Sequence, residues 1–292
     1  MIAIIGKGAW GRALAHALGH TKTQVIFFGR NDDPKGLEFV EGIIFAVPAQ
    51  ETRHVFEKYK NFIKSPVLLT AKGIEQKTHQ LQSGITEEFL NSPYSILSGP
   101  TFAEEVLENK PTACVVASLN STQGVFWGKY FNSSLFRVYF QDDIIGVQLG
   151  GALKNVMAIA SGMLSGLDAG ENARSALLTR ALVEMIRFGK ALGARSETFI
   201  GLSGLGDLML TATSKKSRNY AFGLSLTETR ISLDHFLREG VLTTSVVCEI
   251  AKVKNISMPI AETVYEILFY GKDPKIAFED LMLRPLKDEA IF

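Results

Sequence analysis

Cysteine is scarce in this chain of 292 residues: only Cys114 and Cys248 occur, each inside an apolar stretch and without CxxC or Cys/His spacing. A disulfide framework and a cysteine-ligated zinc site are thereby excluded, and buried free thiols in a reducing cytosol are expected. The five histidines, His16, His20, His54, His79 and His235, stand apart, so no metal is expected. Neither sign of charge is in excess, with 31 Lys plus Arg against 30 Asp plus Glu. That balance removes the electrostatic case for nucleic acid or an anionic membrane surface as partner. Internal repeats, low-complexity linkers and a basic-apolar-small leader are missing as well. What is present, 46% hydrophobic and 21% charged residues, describes a globular, cytoplasmic protein with material for two domains.

Long apolar runs are also few, and the one between Asp143 and Asp168 carries a single charge, Lys154. Lysine at the middle of a membrane span would cost about 2.5–3.5 kcal/mol, and Gln148, Asn155 and several glycines add to that. A buried core helix fits better, and no transmembrane segment is expected. Its lysine must then snorkel to water or meet an anionic partner, since an unpaired buried charge is prohibitive. On a helix the neighbours of Lys154 are Gly150, Gly151, Ala158 and Ser161. All are small, which leaves clearance for a ligand on this face.

Before Asp142 the chain alternates short apolar runs with amphipathic stretches, the pattern of a mostly parallel sheet covered by helices. Strands are expected over 1–5, 24–28, 42–47, 66–70, 95–98, 112–117 and 136–139, with a helix over 10–19. After Gln141 no further strand pattern occurs. Asp142 or Asp143 can cap a long helix over 144–165, and helices are expected over 172–192, 218–226, 233–239, 245–253 and 259–269, with a break through 201–207. The reading is therefore an α/β domain over 1–141 followed by an all-α domain over 142–292, with the site expected where they meet.

Gly6-Lys7-Gly8-Ala9-Trp10-Gly11 is a G-x-G-x-x-G between an expected strand and an expected helix, the context in which this motif holds a dinucleotide pyrophosphate. The glycines permit a tight turn and close backbone approach, and the helix start offers free N–H groups. At the end of the second strand stands Arg30 rather than an acid, which favours NADPH; Asp32 and Asp33, slightly later, leave NADH open. Three polar groups lie in glycine-flanked contexts: Thr70-Ala71-Lys72-Gly73, Ser98-Gly99-Pro100-Thr101-Phe102-Ala103 and Gly204-Leu205-Gly206-Asp207-Leu208. A fourth, Ser214-Lys215-Lys216-Ser217-Arg218-Asn219, suits a phosphomonoester at a helix start. Singly, each also reads as a solvated loop end, a helix cap or a solvated face.

Together with Phe136-Arg-Val-Tyr139, Gly146 through Val156 and Asn172-Ala-Arg174, these motifs resemble the bacterial-type NAD(P)-dependent glycerol-3-phosphate dehydrogenases, in family order over nearly the whole chain. The resemblance implies a Rossmann-like first domain and a second of the 6-phosphogluconate dehydrogenase C-terminal type. It implies reversible hydride transfer between NAD(P)H and C2 of dihydroxyacetone phosphate, giving sn-glycerol 3-phosphate for phospholipid synthesis, and a homodimer. By the same resemblance Lys154 is the proton donor, Lys72 lies beside the same oxygen and the cofactor, and Asp207 orders Lys154 or a substrate hydroxyl. A lysine near a second cation and away from water titrates closer to working pH, which suits that role. Asn155, Ser217, Arg218 and Asn219, with Gly99 and Thr101, are implied at the substrate. Gly6, Gly8, Ala9, Trp10, Gly11, Arg30, Lys72, Ala103, Arg218, Leu237 and Glu239 are implied at the cofactor.

Two departures stand out. The family places a helix, an edge strand and a second helix between the second strand and the one ending in Val-Pro, whereas here only Asn31–Glu41 intervene, so one strand is expected to be missing. After Glu239-Gly240, Val241-Leu242-Thr243-Thr244 replaces an Asn-Thr-Lys-like continuation. Two other readings remain: a two-domain oxidoreductase of another hydroxy acid, and a cofactor-binding module without catalysis. The cations at Lys215, Lys216 and Arg218 favour a phosphorylated substrate over the first. Lys72, Lys154 and Asp207 argue against the second, because a sensor has no use for a proton donor.

Overall fold

A computed structural model describes residues 1–292 apart from 30, 229–238, 286–287 and 290–292. The chain divides into two compact units, Met1–Gln148 and Leu149–Phe292. The first is built on seven strands: β1 Ile2–Ile5, β2 Val25–Phe28, β3 Gly42–Phe45, β4 Val67–Leu69, β5 Tyr94–Ser98, β6 Thr112–Ala117 and β7 Phe136–Gln141. Their order is β2-β1-β3-β4-β5-β6-β7, and every pair is parallel except β5 with β6. β1, β3 and β4 are apolar at nearly every position and buried along their whole length. Parallel strands covered on both faces require such continuous runs. The edge strand β7 instead alternates at its start, Phe136 and Val138 buried between exposed Arg137 and Tyr139.

Helices α1 Ala9–Gly19, α2 Thr52–Tyr59, α3 Gln82–Phe89, α4 Ala103–Leu107 and α5 Ser121–Phe131 fill the connections. Trp127, Phe131, Leu14 and Leu18 from these helices join Ile2, Ile4 and Leu68 of the sheet in one apolar core. All seven expected strands are present. Among the described residues no strand lies between Asn31 and Glu41, where the chain makes only a short 3-10 turn at Leu37–Phe39, and β2 is left as the sheet edge.

Among the described residues eight α-helices follow: α6 Ile144–Gly166, α7 Gly170–Ala191, α8 Ser196–Ile200, α9 Asp207–Ala212, α10 Arg218–Glu228, α11 Glu239–Lys254, α12 Pro259–Tyr270 and α13 Pro274–Met282. The Asp143 carboxylate accepts the Gly146 N–H at 2.9 Å and caps α6. α6 is long and apolar enough to cross a membrane, yet 94% of that stretch is buried in the protein, as for a core helix. It packs tightly against α10: a Cβ on Gly162 would lie 2.1 Å from the Tyr220 carbonyl oxygen, and one on Gly223 2.1 Å from that of Ile159. Glycine is required at both crossings.

Some expectations need correction. α11 begins at Glu239, six residues before the apolar periodicity that marked it, and α13, capped by Asp273, was not foreseen. The helix expected over 233–239 falls on 233–238, outside the described residues. Cys114 is buried but Cys248, on α11, only partly so.

Candidate active site

The phosphate turn follows from local sterics. Gly6 has φ +119°, and a Cβ there would sit 2.3 Å from the Ala46 carbonyl oxygen; a Cβ on Gly11 would sit 2.1 Å from that of Gly6. These two glycines let β1, β3 and α1 approach one another. Gly8, directly before α1, meets nothing within 4 Å. No protein atom requires glycine there, so the missing side chain keeps an open cradle at a helix start, the fit a pyrophosphate needs. Ala9 and Trp10 form the first turn of α1, and Trp10 and Ala103, at the start of α4, pack on the core. A cleft of about 380 Å³ opens here, lined by Gly6, Lys7, Gly8, Gly29, Lys58 and Tyr59 among others.

At the far end of β2 the Asp32 carboxylate accepts from Lys7 Nζ at 2.6 Å and from the Gly29 N–H at 2.9 Å. The lysine ammonium, then the Gly29 N–H, hold its carboxyl below the usual aspartate value. Lys58 Nζ donates to the Asp32 carbonyl at 3.0 Å, and the Tyr59 hydroxyl to the Gly29 carbonyl at 2.8 Å. With no strand outside β2, α2 and the phosphate turn hold its end. Arg30, expected to choose the nucleotide, lies outside the described residues.

Lys72, Gly99 and Thr101 come together at the ends of β4 and β5. The Gly99 carbonyl accepts from Lys72 Nζ at 2.9 Å and from Thr101 Oγ1 at 3.2 Å. Gly99 has φ +141°, and a Cβ there would meet the Cys114 Cα at 2.9 Å. The loop carrying Lys72 is braced from behind: Gln50 Nε2 donates to the Ile74 carbonyl at 2.8 Å, and Arg53 Nε to buried Glu75 at 2.9 Å.

In the helical unit Lys154 finds its anion. Nζ donates to Asp207 Oδ1 at 2.5 Å and to Thr211 Oγ1 at 2.8 Å, and Thr211 donates to the same carboxylate oxygen at 3.2 Å. Asp207 is fully buried and the Lys154 side chain is 9% exposed. Asp207 follows a single π-helical turn, Leu202–Gly206, that breaks the chain between α8 and α9. Thr211 was missed by sequence reading; the signal is the i, i+4 spacing from Asp207, which puts both on one helix face. Asn155, the next residue of α6, is buried.

The small residues around Lys154 do not leave the clearance expected at Gly150. A Cβ on Gly150 would lie 2.4 Å from the Ser203 carbonyl oxygen, so the protein's own π turn occupies that space. Ser161 likewise donates to the Ala212 carbonyl at 2.6 Å. Small side chains here seat α9 against α6 and thereby bring Asp207 to Lys154.

At the start of α10, buried Ser217 Oγ accepts the Tyr220 N–H at 3.3 Å, while Arg218 is exposed. A Cβ on Gly240 would lie 2.5 Å from Asn219 Oδ1, which puts Asn219 against the first turn of α11, where Glu239 stands. Leu237 lies outside the described residues. Among the described residues no three His, Cys, Asp or Glu side chains gather as a metal set.

The comparisons agree with this architecture. Residues 34–123 match the family model for the NAD-dependent glycerol-3-phosphate dehydrogenase N-terminus, and residues 143–279 that for the C-terminus. A glycerol-3-phosphate dehydrogenase [NAD(P)+] of Desulfitobacterium hafniense is 37% identical over 326 positions, covering 99% of this chain and 92% of that protein. This chain belongs to the glycerol-3-phosphate dehydrogenase family. A glycerol-3-phosphate dehydrogenase [NAD(P)+] of Trichormus variabilis is 41% identical over 300 positions, covering 99% of this chain and 98% of that one. The 326 positions exceed this chain's 292 residues, so the D. hafniense protein carries segments that this family member lacks. The crystal structure of glycerol-3-phosphate dehydrogenase from Coxiella burnetii superposes with a TM-score of 0.91 at 34% identity, covering 97% of this chain and 98% of that one. A D-mandelate dehydrogenase structure at 15% identity and TM-score 0.63 shares the fold alone.

Proposed function

We propose that this protein catalyses the reversible NAD(P)H-dependent reduction of dihydroxyacetone phosphate to sn-glycerol 3-phosphate, and so supplies glycerophospholipid synthesis in the cytoplasm. The observation that carries the reading is the buried Lys154–Asp207–Thr211 set, a proton-bearing group oriented by two partners in a member of this family. The nicotinamide, when bound, supplies the hydride that C2 accepts. Lys154 Nζ gives its proton to the ketone oxygen as that oxygen gains charge, and takes it back in the reverse direction. Asp207 and Thr211 fix the direction of Nζ, and Lys72 is the second cation for the same oxygen. Asn155 orients the substrate alongside Lys154, with Gly99 and Thr101 contacting it as well. Arg218, with Ser217 and Asn219, takes the phosphate, a bidentate partner at a helix start.

On this reading residues 1–141 hold the cofactor, Gly6, Gly8, Ala9, Trp10 and Gly11 at its pyrophosphate, while residues 142–292 carry the proton donor and the phosphate anchor. Arg30, Lys72, Ala103, Arg218, Leu237 and Glu239 complete the proposed cofactor contacts. Both NADPH and NADH are accepted, with NADPH favoured.

The test is oxidation of NADPH or NADH on addition of dihydroxyacetone phosphate. Lys154→Ala is expected to lower kcat by about a hundredfold or more while cofactor binding is retained. A loss of only a few-fold would remove Lys154 from the role. Protein that binds a reduced cofactor yet turns over with neither would instead be a binding module.

A further inference from the structure

The end of β2 holds an arrangement that the proposed reaction does not use. Lys7 stands between the first two glycines of the phosphate turn, and its side chain crosses to the strand end: a Cβ on Gly29 would meet Lys7 Cε at 3.3 Å and Nζ at 3.6 Å. There it pairs with Asp32. Lys58, from the last turn of α2, reaches the backbone of the same aspartate. Lys7, Gly29 and Lys58 all line the cleft beside Gly8. Two ammonium groups and the Asp32 carboxylate thus lie at the strand end, with Glu51 and His54 lining the same cleft, where an open parallel sheet of this type meets the adenosine ribose of a dinucleotide.

We propose that the Lys7–Asp32 ion pair, together with Lys58, sets the choice between the 2'-phosphorylated and the unphosphorylated nicotinamide dinucleotide, with Asp32 acting as a built-in competitor of the 2'-phosphate. This rests on the dinucleotide-binding reading above and adds which residues of this chain discriminate. The Lys7 and Asp32 side chains are 55% and 39% exposed. An ion pair that open to solvent is weak and screened by salt, so Lys7 exchanges partners readily. A phosphomonoester carries about −1.5 to −2 charge and three acceptor oxygens, and outbids a single carboxylate for an ammonium. With a 2'-phosphate present Lys7 leaves Asp32 and joins Lys58 on the phosphate. With a free 2'-hydroxyl the ion pair persists, and Asp32 keeps a lone-pair site for the hydroxyl as donor. Among the described residues no outer strand covers the β2 edge beside this arrangement.

Direct titration of the full-length protein with NADPH, NADH, adenosine 2',5'-bisphosphate and AMP tests this without turnover. Lys7→Met is expected to weaken NADPH and the bisphosphate by about tenfold and NADH and AMP by less than about threefold; Lys58→Met acts in the same direction. Asp32→Asn is expected to do the opposite, tightening NADPH about three- to tenfold and leaving NADH unchanged or weaker. Equal weakening of NADPH and NADH by Lys7→Met would place Lys7 on the pyrophosphate and overturn the proposal. So would a preference abolished by Arg30→Ala but untouched by Lys7→Met and Asp32→Asn. If the parent protein binds neither dinucleotide, the dehydrogenase reading fails and this one with it. If it binds both but turns over with neither, only the former fails.

Discussion

Asp207→Asn removes one charge from a buried ion pair of the helical unit. The substitution preserves side-chain shape but strands the Lys154 ammonium, which lies 2.5 Å from Asp207 Oδ1 and keeps 9% of its side-chain surface in contact with solvent. Breaking one partner of a buried pair costs about 3–5 kcal/mol, against about 0–1 kcal/mol for an exposed pair. The residual 9% exposure and the Thr211 hydroxyl, which still accepts from Nζ, put the expected cost at the lower end, about 3 kcal/mol. At about 2–4 °C per kcal/mol for a unit of this size, the melting midpoint falls by about 6–12 °C. Replacing both members with apolar groups, Lys154→Met with Asp207→Leu, removes the stranded charge and is expected to melt above Asp207→Asn, since well-packed apolar pairs often substitute for buried ion pairs. Calorimetry of the parent, Lys154→Met, Asp207→Leu and the double closes the cycle, with Asp207→Asn measured beside them. A midpoint for Asp207→Asn within about 2 °C of the parent, or strict additivity in the cycle, would mean that Nζ is solvated as a surface lysine is, and the oriented-donor argument would fall with it.

Two further outcomes follow from the same geometry. Burial raises the Glu184 carboxyl from its usual 4.5 to about 8, against the opposing pull of the Ile260 and Ala261 N–H groups that it caps. The folded value lies above the unfolded one, so stability from this group is complete below about pH 4.5 and is lost as pH rises toward 8. Glu184→Gln should therefore flatten the pH dependence of the melting midpoint over that window and gain on the parent at its upper end; parallel profiles would refute the assignment. Gly8→Ala and Gly11→Ala should separate cleanly. The first meets open space and is expected to weaken dinucleotide binding with little change in melting, while the second drives a methyl to 2.1 Å from the Gly6 carbonyl oxygen and costs about 1–3 kcal/mol of stability. Equal melting of the two variants, read by calorimetry, would contradict the division between cradle and packing glycines.

Much of this was legible in the chain because the signals are local. Continuous apolar runs such as Ile2–Ile5 and Gly42–Phe45 announce strands buried on both faces, and the eleven residues from Asn31 to Glu41, set against the helix, edge strand and helix of the resembled family, announce a missing edge strand. What was misread depends on contacts between distant segments. A glycine that clears space for a ligand and one that admits a neighbouring backbone look the same in sequence; only Ser203 against Gly150 tells them apart. Thr211 gained meaning only once the Leu202–Gly206 π turn was seen to deliver α9 to Lys154. Lys7 is the sharper case, because as the first variable position of a glycine motif it carries no expectation of its own, and its partner Asp32 is 25 residues away. Both lie beside the β2 edge, where no outer strand is present among the described residues. With that strand absent, the end of β2 is held from the phosphate turn by Lys7 and from α2 by Lys58 and Tyr59. On the proposal above, the choice between dinucleotides is read at this edge by residues of the phosphate turn and α2, from Lys7 and Lys58 around Asp32, rather than by an outer strand.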